Sequence, residues 1–314
     1  MTDNERPHPR LRRSVLAVPG DRPDMAEKAA ATEADEVFLD LEDAVGAEGK
    51  ADARASVIAA LIGTDWGAKT VAIRVNDVRS PWCHDDVAAL IHGAGDHVDT
   101  LIVPKVEHPG ELWFIEHLLS QLEADVGLGR RVRIEAQVES GAGATRLDAI
   151  AEVTDRLDAL VFGPGDYAAD LGIPAVDVGL GAAGYPEHAW HAALTRVCQV
   201  ARTVGADAID GPLADFSDEE GYRRSAELAL GVGCDGKWCI HPRQVPIANE
   251  IFTPPHDQVA RATALLAAYE EALAAGKGAA TFEGKMIDEA SRKMARRLVT
   301  RARAGQSRAS AQDA

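Results

Sequence analysis

Eight times between residues 14 and 250 a short β-branched or aliphatic run gives way to a longer stretch with helical spacing. "SVLAVPG" at 14–20, "EVFLDLE" at 36–42, "TVAIRVN" at 70–76 and "DTLIVPKVE" at 99–107 open the series. "VRIEAQVES" at 132–140, "LDALVFGPGD" at 157–166, "ADAIDGP" at 206–212 and "CDGKWCIHP" at 234–242 complete it. The helices are expected over 21–32, 47–62, 84–94, 109–123, 143–153, 187–204, 217–231 and 243–250. A helix between two strands returns the chain to the end where the first strand began, so the repeat builds a parallel sheet. Eight units in roughly 250 residues match an α/β protein of the (β/α)8 TIM-barrel type, placed here over residues 12–252. The competing architecture is a doubly wound open sheet. It would carry a GxGxxG turn after its first strand, and "VPGDRPD" lacks that spacing.

After residue 253 the pattern changes. "TPP" breaks the chain, an Ala-rich helix is expected over 256–276, and a short extended piece leads to a further helix. Residues 253–304 therefore read as a small C-terminal helical lid extension, and 305–314, small and polar, as a disordered tail.

Composition narrows the function. A formal charge of −17 argues against a nucleic-acid partner, which needs a basic footprint. It leaves room for an anionic small ligand held by a local cluster of basic side chains. No apolar run nears the roughly 18 residues of a membrane span. The charged start "MTDNERPHPRLRR" has no apolar segment behind it, so no secretory signal is expected. Cys83, Cys198, Cys234 and Cys239 show no CxxC spacing and read as thiols of a cytoplasmic protein.

In a (β/α)8 barrel the chemistry sits at the carboxyl ends of the strands. There this chain places Asp21 and Arg22; Asp40, Glu42 and Asp43; Arg74; Lys105 and Glu107; Glu139; Asp166; Asp210; and His241. The set is rich in carboxylates and poor in nitrogen and sulfur, which favours a hard cation such as Mg²⁺, with Mn²⁺ as its substitute. Glu139 and Asp166, from adjacent strands, could share one ion; each could equally cap a helix or pair with an arginine. Arg74 suits bidentate capture of a carboxylate or carbonyl, or an ion pair with one of the acids. Arg22 and Lys28 flank the start of the first helix, as a phosphate site or as solvated surface charge. His188 and His191 have i, i+3 spacing but no third partner for a metal.

The segments "RSVLAVPGDRPDMAEKA", "FLDLEDAV", "IRVN", "VPKVE", "FGPGDYAADLG", "DGPLADF" and "GKWCIHPRQVPIANEIF" together resemble the HpcH/HpaI aldolase and citrate lyase β-subunit-like family of carbon–carbon lyases. "AWHAAL", "DGPLADFSDEEGY" and "GKMIDEAS" are most similar to its malyl-CoA/beta-methylmalyl-CoA lyase branch. The resemblance covers nearly all of residues 12–300. It implies Mg²⁺ held by Glu139 and Asp166, and Arg74 on the 2-oxo acid and thioester. It further implies Arg22, Lys28, Gly165, Ile240 and His241 along coenzyme A or substrate. Asp288 would be donated by a neighbouring subunit of a homotrimer or hexamer. With the metal on Glu139 and Asp166, Glu42 and Asp43 at the end of the second strand read as acids one layer behind it, holding metal-bound waters and orienting Arg or Lys neighbours. The implied reaction is reversible Claisen-type cleavage of a β-hydroxyacyl-CoA to acetyl-CoA or propionyl-CoA plus glyoxylate. Thioester hydrolysis and a citrate lyase β-chain-like reaction are the alternatives. Ala17, where many members carry an aromatic, and Ser140, where they carry Thr, bear on the acyl group accepted.

Overall fold

The structure, a computed structural model, describes residues 10–174, 177–179 and 189–312. Among these, eight parallel strands close into a barrel in sequential order. They are β1 (Ser14–Pro19), β2 (Glu36–Asp40), β3 (Thr70–Arg74), β4 (Thr100–Val103), β5 (Arg133–Val138), β6 (Leu157–Phe162), β7 (Asp207–Asp210) and β8 (Gly236–Cys239). The ring closes where β1 pairs with β8, Val15 opposite Trp238. Helices follow the strands in turn, so every strand is covered and the runs are apolar on both faces.

Alternation along each strand sorts the barrel interior into layers. Val15, Phe38, Ala72, Ile102, Ala159, Val161, Ile209 and Trp238 form one buried apolar cluster. Phe38 and Trp238 meet with ring centroids 4.5 Å apart. Two residues back along β2 and β5 stand Glu36 and Glu135, both fully buried. Between them enters the guanidinium of Arg12. It lies 2.7 Å from Glu36, 3.3 Å from Glu135, 2.7 Å from Asp158 and 2.8 Å from Asp207. Burial and the charge of Glu36 push the Glu135 carboxyl well above its ordinary range. The segment bearing Arg12 reaches this place only because residue 236 is glycine: a Cβ there would come within 1.6 Å of the Arg12 carbonyl oxygen.

Three local elements differ from the sequence expectation. "GPGDYAAD" does not extend the sixth strand but turns into a helix, Pro164–Asp170, with proline at its start, where the missing N–H costs nothing. The helix expected over 143–153 is two short ones, Gly141–Thr145 and Leu147–Glu152. The helix expected over 187–204 is seen from His191 to Val204; His188 lies outside the described residues.

The chain divides into two compact units, Arg12–Ile251 and a smaller one containing everything from Phe252 onward. In the second, the helix His256–Ala274 packs on the helix Glu289–Gln312 through Ala262, Ala295 and Val299. The hairpin of β9 (Ala280–Phe282) and β10 (Lys285–Ile287) links them. The last helix carries on through the segment expected as a tail; Ala, Arg and Gln all favour helix. No described helix is long and apolar enough to cross a membrane.

The Arg12 cluster makes a test of the barrel. Removing one partner of a buried ion pair costs about 3–5 kcal/mol. R12M is expected to lose stability on that order in urea unfolding. The loss should be larger at pH 8 than at pH 5, where protonation relieves the stranded carboxylates.

Candidate active site

The carboxyl ends of the strands open on a cavity of about 440 Å³. Its apolar floor is Ala17, Phe38 and Trp238, and its polar wall includes Arg74, Gln137, Glu139 and Asp166.

Arg74 ends β3 almost fully buried. Its Nε and Nη2 donate to the two oxygens of Asp40 at 2.7 and 2.6 Å, a bidentate pair. Its Nη1 stands 3.0 Å from Glu42 and 3.5 Å from Asp43. The guanidinium carbon lies 5.8 Å from the Phe38 ring and 5.5 Å from the Trp238 ring, so the arginine is held from the floor as well as the side. Asp40 also accepts from the amides of Glu42 (2.9 Å) and Ala44 (3.1 Å). One carboxylate thus shapes the loop after β2 and orients Arg74.

Glu139 follows β5, and Gln137 precedes it on the same face. The Lys105 amide donates to Oε1 of Glu139 at 2.8 Å, and Nε2 of Gln137 donates to its Oε2 at 2.6 Å. Gly163 makes room for this carboxylate; a Cβ there would fall 2.4 Å from Oε2. Burial, then the charges of Asp166 and Glu42, push the Glu139 carboxyl up to about 8. Burial likewise raises Glu42 to about 7, against the pull of Arg74 and Lys105. Burial also acts to raise Asp43, but Arg74 and hydrogen bonds with Glu42 and Lys105 outweigh it and hold Asp43 low. The Lys105 ammonium bridges Glu42 and Asp43, 3.1 Å from the latter. Asp166 reaches the cavity from the first turn of its helix, one residue beyond Gly165.

Could Glu139 and Asp166 hold a divalent cation? Among the described residues no group of three or more His, Cys, Asp or Glu side chains surrounds one metal position. Mg²⁺, however, takes one or two carboxylates and completes its shell with water and substrate oxygens. The donors here are all oxygen. The charge of Asp166 adds to the cost of ionising Glu139, which a cation would relieve, and Oε1 of Gln137 is buried without a partner beside Glu139. The residues fit.

Other candidates stand elsewhere. Ile240 lines the cavity; His241 stacks on Phe216, ring centroids 4.9 Å apart. Arg22 and Lys28 are exposed and share Asp24, each at 3.2 Å, and neither lines the cavity. Ser140 caps the helix Gly141–Thr145 by accepting from Gly143 at 3.1 Å. Asp288 belongs to the second unit. There its Oδ1 accepts from the amide and hydroxyl of Ser291, and those bonds hold its pKa below the ordinary value. Sequence reasoning passed over Gln137 and gave Asp40 no role. Period-2 spacing from Glu139 would have found the first, and the neighbouring Arg74 strand the second.

The fold is a closed parallel barrel with an arginine and two carboxylates at its mouth. Residues 13–242 match the HpcH/HpaI aldolase/citrate lyase family model, and the chain belongs to that family of carbon–carbon lyases. It is 38% identical over 305 residues to the L-malyl-CoA/beta-methylmalyl-CoA lyase of Cereibacter sphaeroides, covering 94% of this chain and 96% of the relative. The malyl-CoA/beta-methylmalyl-CoA/citramalyl-CoA lyase of Chloroflexus aurantiacus is 32% identical, with 87% and 82% covered. Among solved structures, protein CitE from Mycobacterium tuberculosis, in complex with magnesium, acetoacetate and coenzyme A, is similar with a TM-score of 0.72. That match has 29% identity and covers 92% of this chain and 97% of that one.

The raised pKa of Glu139 gives a prediction for the metal-free protein. With its folded pKa near 8 and an ordinary value of 4.5, the protonated carboxyl stabilises the fold below pH 4.5. That contribution disappears as pH rises through 8. E139Q, which cannot ionise, should be more stable than wild type at pH 8.5 by roughly 4 kcal/mol. The gap should close by pH 5, and urea unfolding at the two pH values measures it.

Proposed function

We propose that this protein catalyses reversible Claisen-type cleavage of a β-hydroxyacyl-CoA, L-malyl-CoA or beta-methylmalyl-CoA, to acetyl-CoA or propionyl-CoA plus glyoxylate. The observation that carries the reading is the convergence of Arg74, Glu139 and Asp166 on one cavity with an apolar floor. The names of the two relatives and the ligands of the Mycobacterium tuberculosis structure support the substrate class.

Glu139 and Asp166 would hold Mg²⁺, or Mn²⁺ in its place, which when bound supplies Lewis-acid polarisation of the 2-oxo acid. The protein's own residues do the rest. In the condensing direction a base removes a proton from the acyl α-carbon, and the resulting enolate attacks the glyoxylate aldehyde carbon. Cleavage reverses this: the β-hydroxyl loses its proton, the α–β carbon bond breaks, and the electron pair passes to the thioester as enolate.

Charge on the enolate oxygen needs a fixed donor. Nε and Nη2 of Arg74 are committed to Asp40, so Nη1, with its longer contacts, is the group that can turn to it. Ala17, Phe38 and Trp238 close the floor to water. Asp288 is the proposed base. Its bonds to Ser291 lower its pKa and weaken it as a base, so the role requires a setting in the neighbour's site that raises its pKa toward the working pH. It would be supplied to the site by a neighbouring subunit of a homotrimer or hexamer. Ile240, His241, Gly165, Arg22 and Lys28 are the proposed contacts of coenzyme A, and the cytoplasm is the proposed location.

One assay tests the reaction. Purified protein, Mg²⁺, glyoxylate and acetyl-CoA or propionyl-CoA should yield the condensed thioester, and malyl-CoA should return glyoxylate. Free CoA released without glyoxylate would mark a thioesterase instead, and no turnover in either direction would end the lyase reading. E139A and D166A should each lower kcat at least about 100-fold, as expected for loss of a fixed electrostatic group. Inactive D288A mixed with inactive R74A should recover part of the activity once subunits have exchanged; no recovery after verified exchange would refute a shared site.

A further inference from the structure

Among the described residues only Lys105 and Glu283 are non-glycine residues with a left-handed backbone, and Lys105, at φ +53°, stands behind the cavity wall in contact with Glu139 and Asp43. The left-handed region is unfavourable for a side chain with a Cβ, and such positions persist where the surroundings over-determine them. Here they do. Nη2 of Arg79 donates to the Lys105 carbonyl oxygen at 3.2 Å, and the next amide, Val106, donates to the Gln137 carbonyl oxygen at 3.0 Å. The turn aims the Lys105 amide at Oε1 of Glu139, 2.8 Å away. It sends the ammonium the other way, onto Glu42 and Asp43. Those are the two carboxylates that also face Nη1 of Arg74.

We propose that Lys105 is a positioning residue with two separable parts. Its amide fixes the Glu139 carboxylate. Its ammonium shares Glu42 and Asp43 with Nη1 of Arg74 and so loosens their hold on that donor. Without the ammonium, Arg74 is, among the described residues, the one side chain still ion-paired with Glu42 and Asp43. They would close on Nη1 and take up the donor that the reaction uses. The inference rests on the function proposed above.

Glycine separates the two parts. It adopts φ above zero without strain and keeps the amide, so K105G removes the ammonium alone. K105G is expected to fold with an unchanged or higher Tm and to bind Mg²⁺ by calorimetry within about threefold of wild type. Its kcat should fall about 100-fold, the scale of losing one preorganised donor, with KM little changed. Added ethylammonium, or an arginine in K105R, should restore turnover at least about tenfold. In a crystal structure of K105G, the Nη1 contacts of Arg74 to Glu42 and Asp43 should be shorter than the present 3.0 and 3.5 Å, with Glu139 in place. Unchanged kcat, or a loss that neither ethylammonium nor K105R repairs, overturns the proposal. If wild type itself turns nothing over, the proposed reaction fails. The crystal structure then decides Lys105 alone, and contacts that have not shortened overturn it.

Discussion

One guanidinium carries the lower end of this barrel. Carboxylates from four strands converge on Arg12, those of Glu36 and Glu135 fully buried and that of Asp207 partly open to solvent. Without Arg12, the fully buried Glu36 and Glu135 would lose the guanidinium they share. Burial and the charge of Glu36 push the Glu135 carboxyl upward, against the pull of Arg12. The chain accommodates this arrangement by giving up a side chain at Gly236, so that the strand can pass the Arg12 backbone.

The upper end repeats the theme with a different balance. Asp40, Glu42, Asp43, Glu139 and Asp166 make five acids, against the two cations Arg74 and Lys105. Both cations are drawn to the β2 side, where they serve the first three acids. Glu139 is left with amide donors from Lys105 and Gln137, and its carboxyl rises to about 8. At the lower end the protein supplies its own cation. At the upper end it leaves carboxylates where a ligand's cation would lower the energy. That asymmetry, rather than the number of acids, is the physical argument for a site.

Much of this was legible from the chain. The alternation of apolar runs and helical stretches sets a parallel barrel, and the strand ends place Arg74 and Glu139 on one rim, because a period of 2 leaves little choice of face. The acids of "EVFLDLED" were harder to read. Sequence reasoning sets Glu42 and Asp43 behind the metal, but nothing in one dimension says that Asp40 spends both oxygens on Arg74. Arg12 escaped notice altogether: it precedes the first strand in a charged stretch that looks solvated, and its four partners lie up to 195 positions away. Asp166 was assigned to the right end of the barrel on the wrong element. The proline that starts its helix is also a residue that ends strands.

The conformational and electrostatic costs of the first unit gather at the carboxyl ends of its strands. Lys105 holds a left-handed backbone, Glu139 and Glu42 resist ionisation, and an oxygen of Gln137 is buried unpaired. Each would be cheaper to relieve by a small change: a glycine, a glutamine, a leucine. Relief would also remove the features that could grip an anionic substrate and its metal. The fully apolar layer of Phe38, Ile102, Ile209 and Trp238 lies between the two charged ends and tolerates neither water nor charge. It therefore separates a lower end whose charges stabilise the fold from an upper end whose charges cost it stability. The structure can carry that cost because the stabilising network is kept at the opposite mouth, out of reach of whatever binds above.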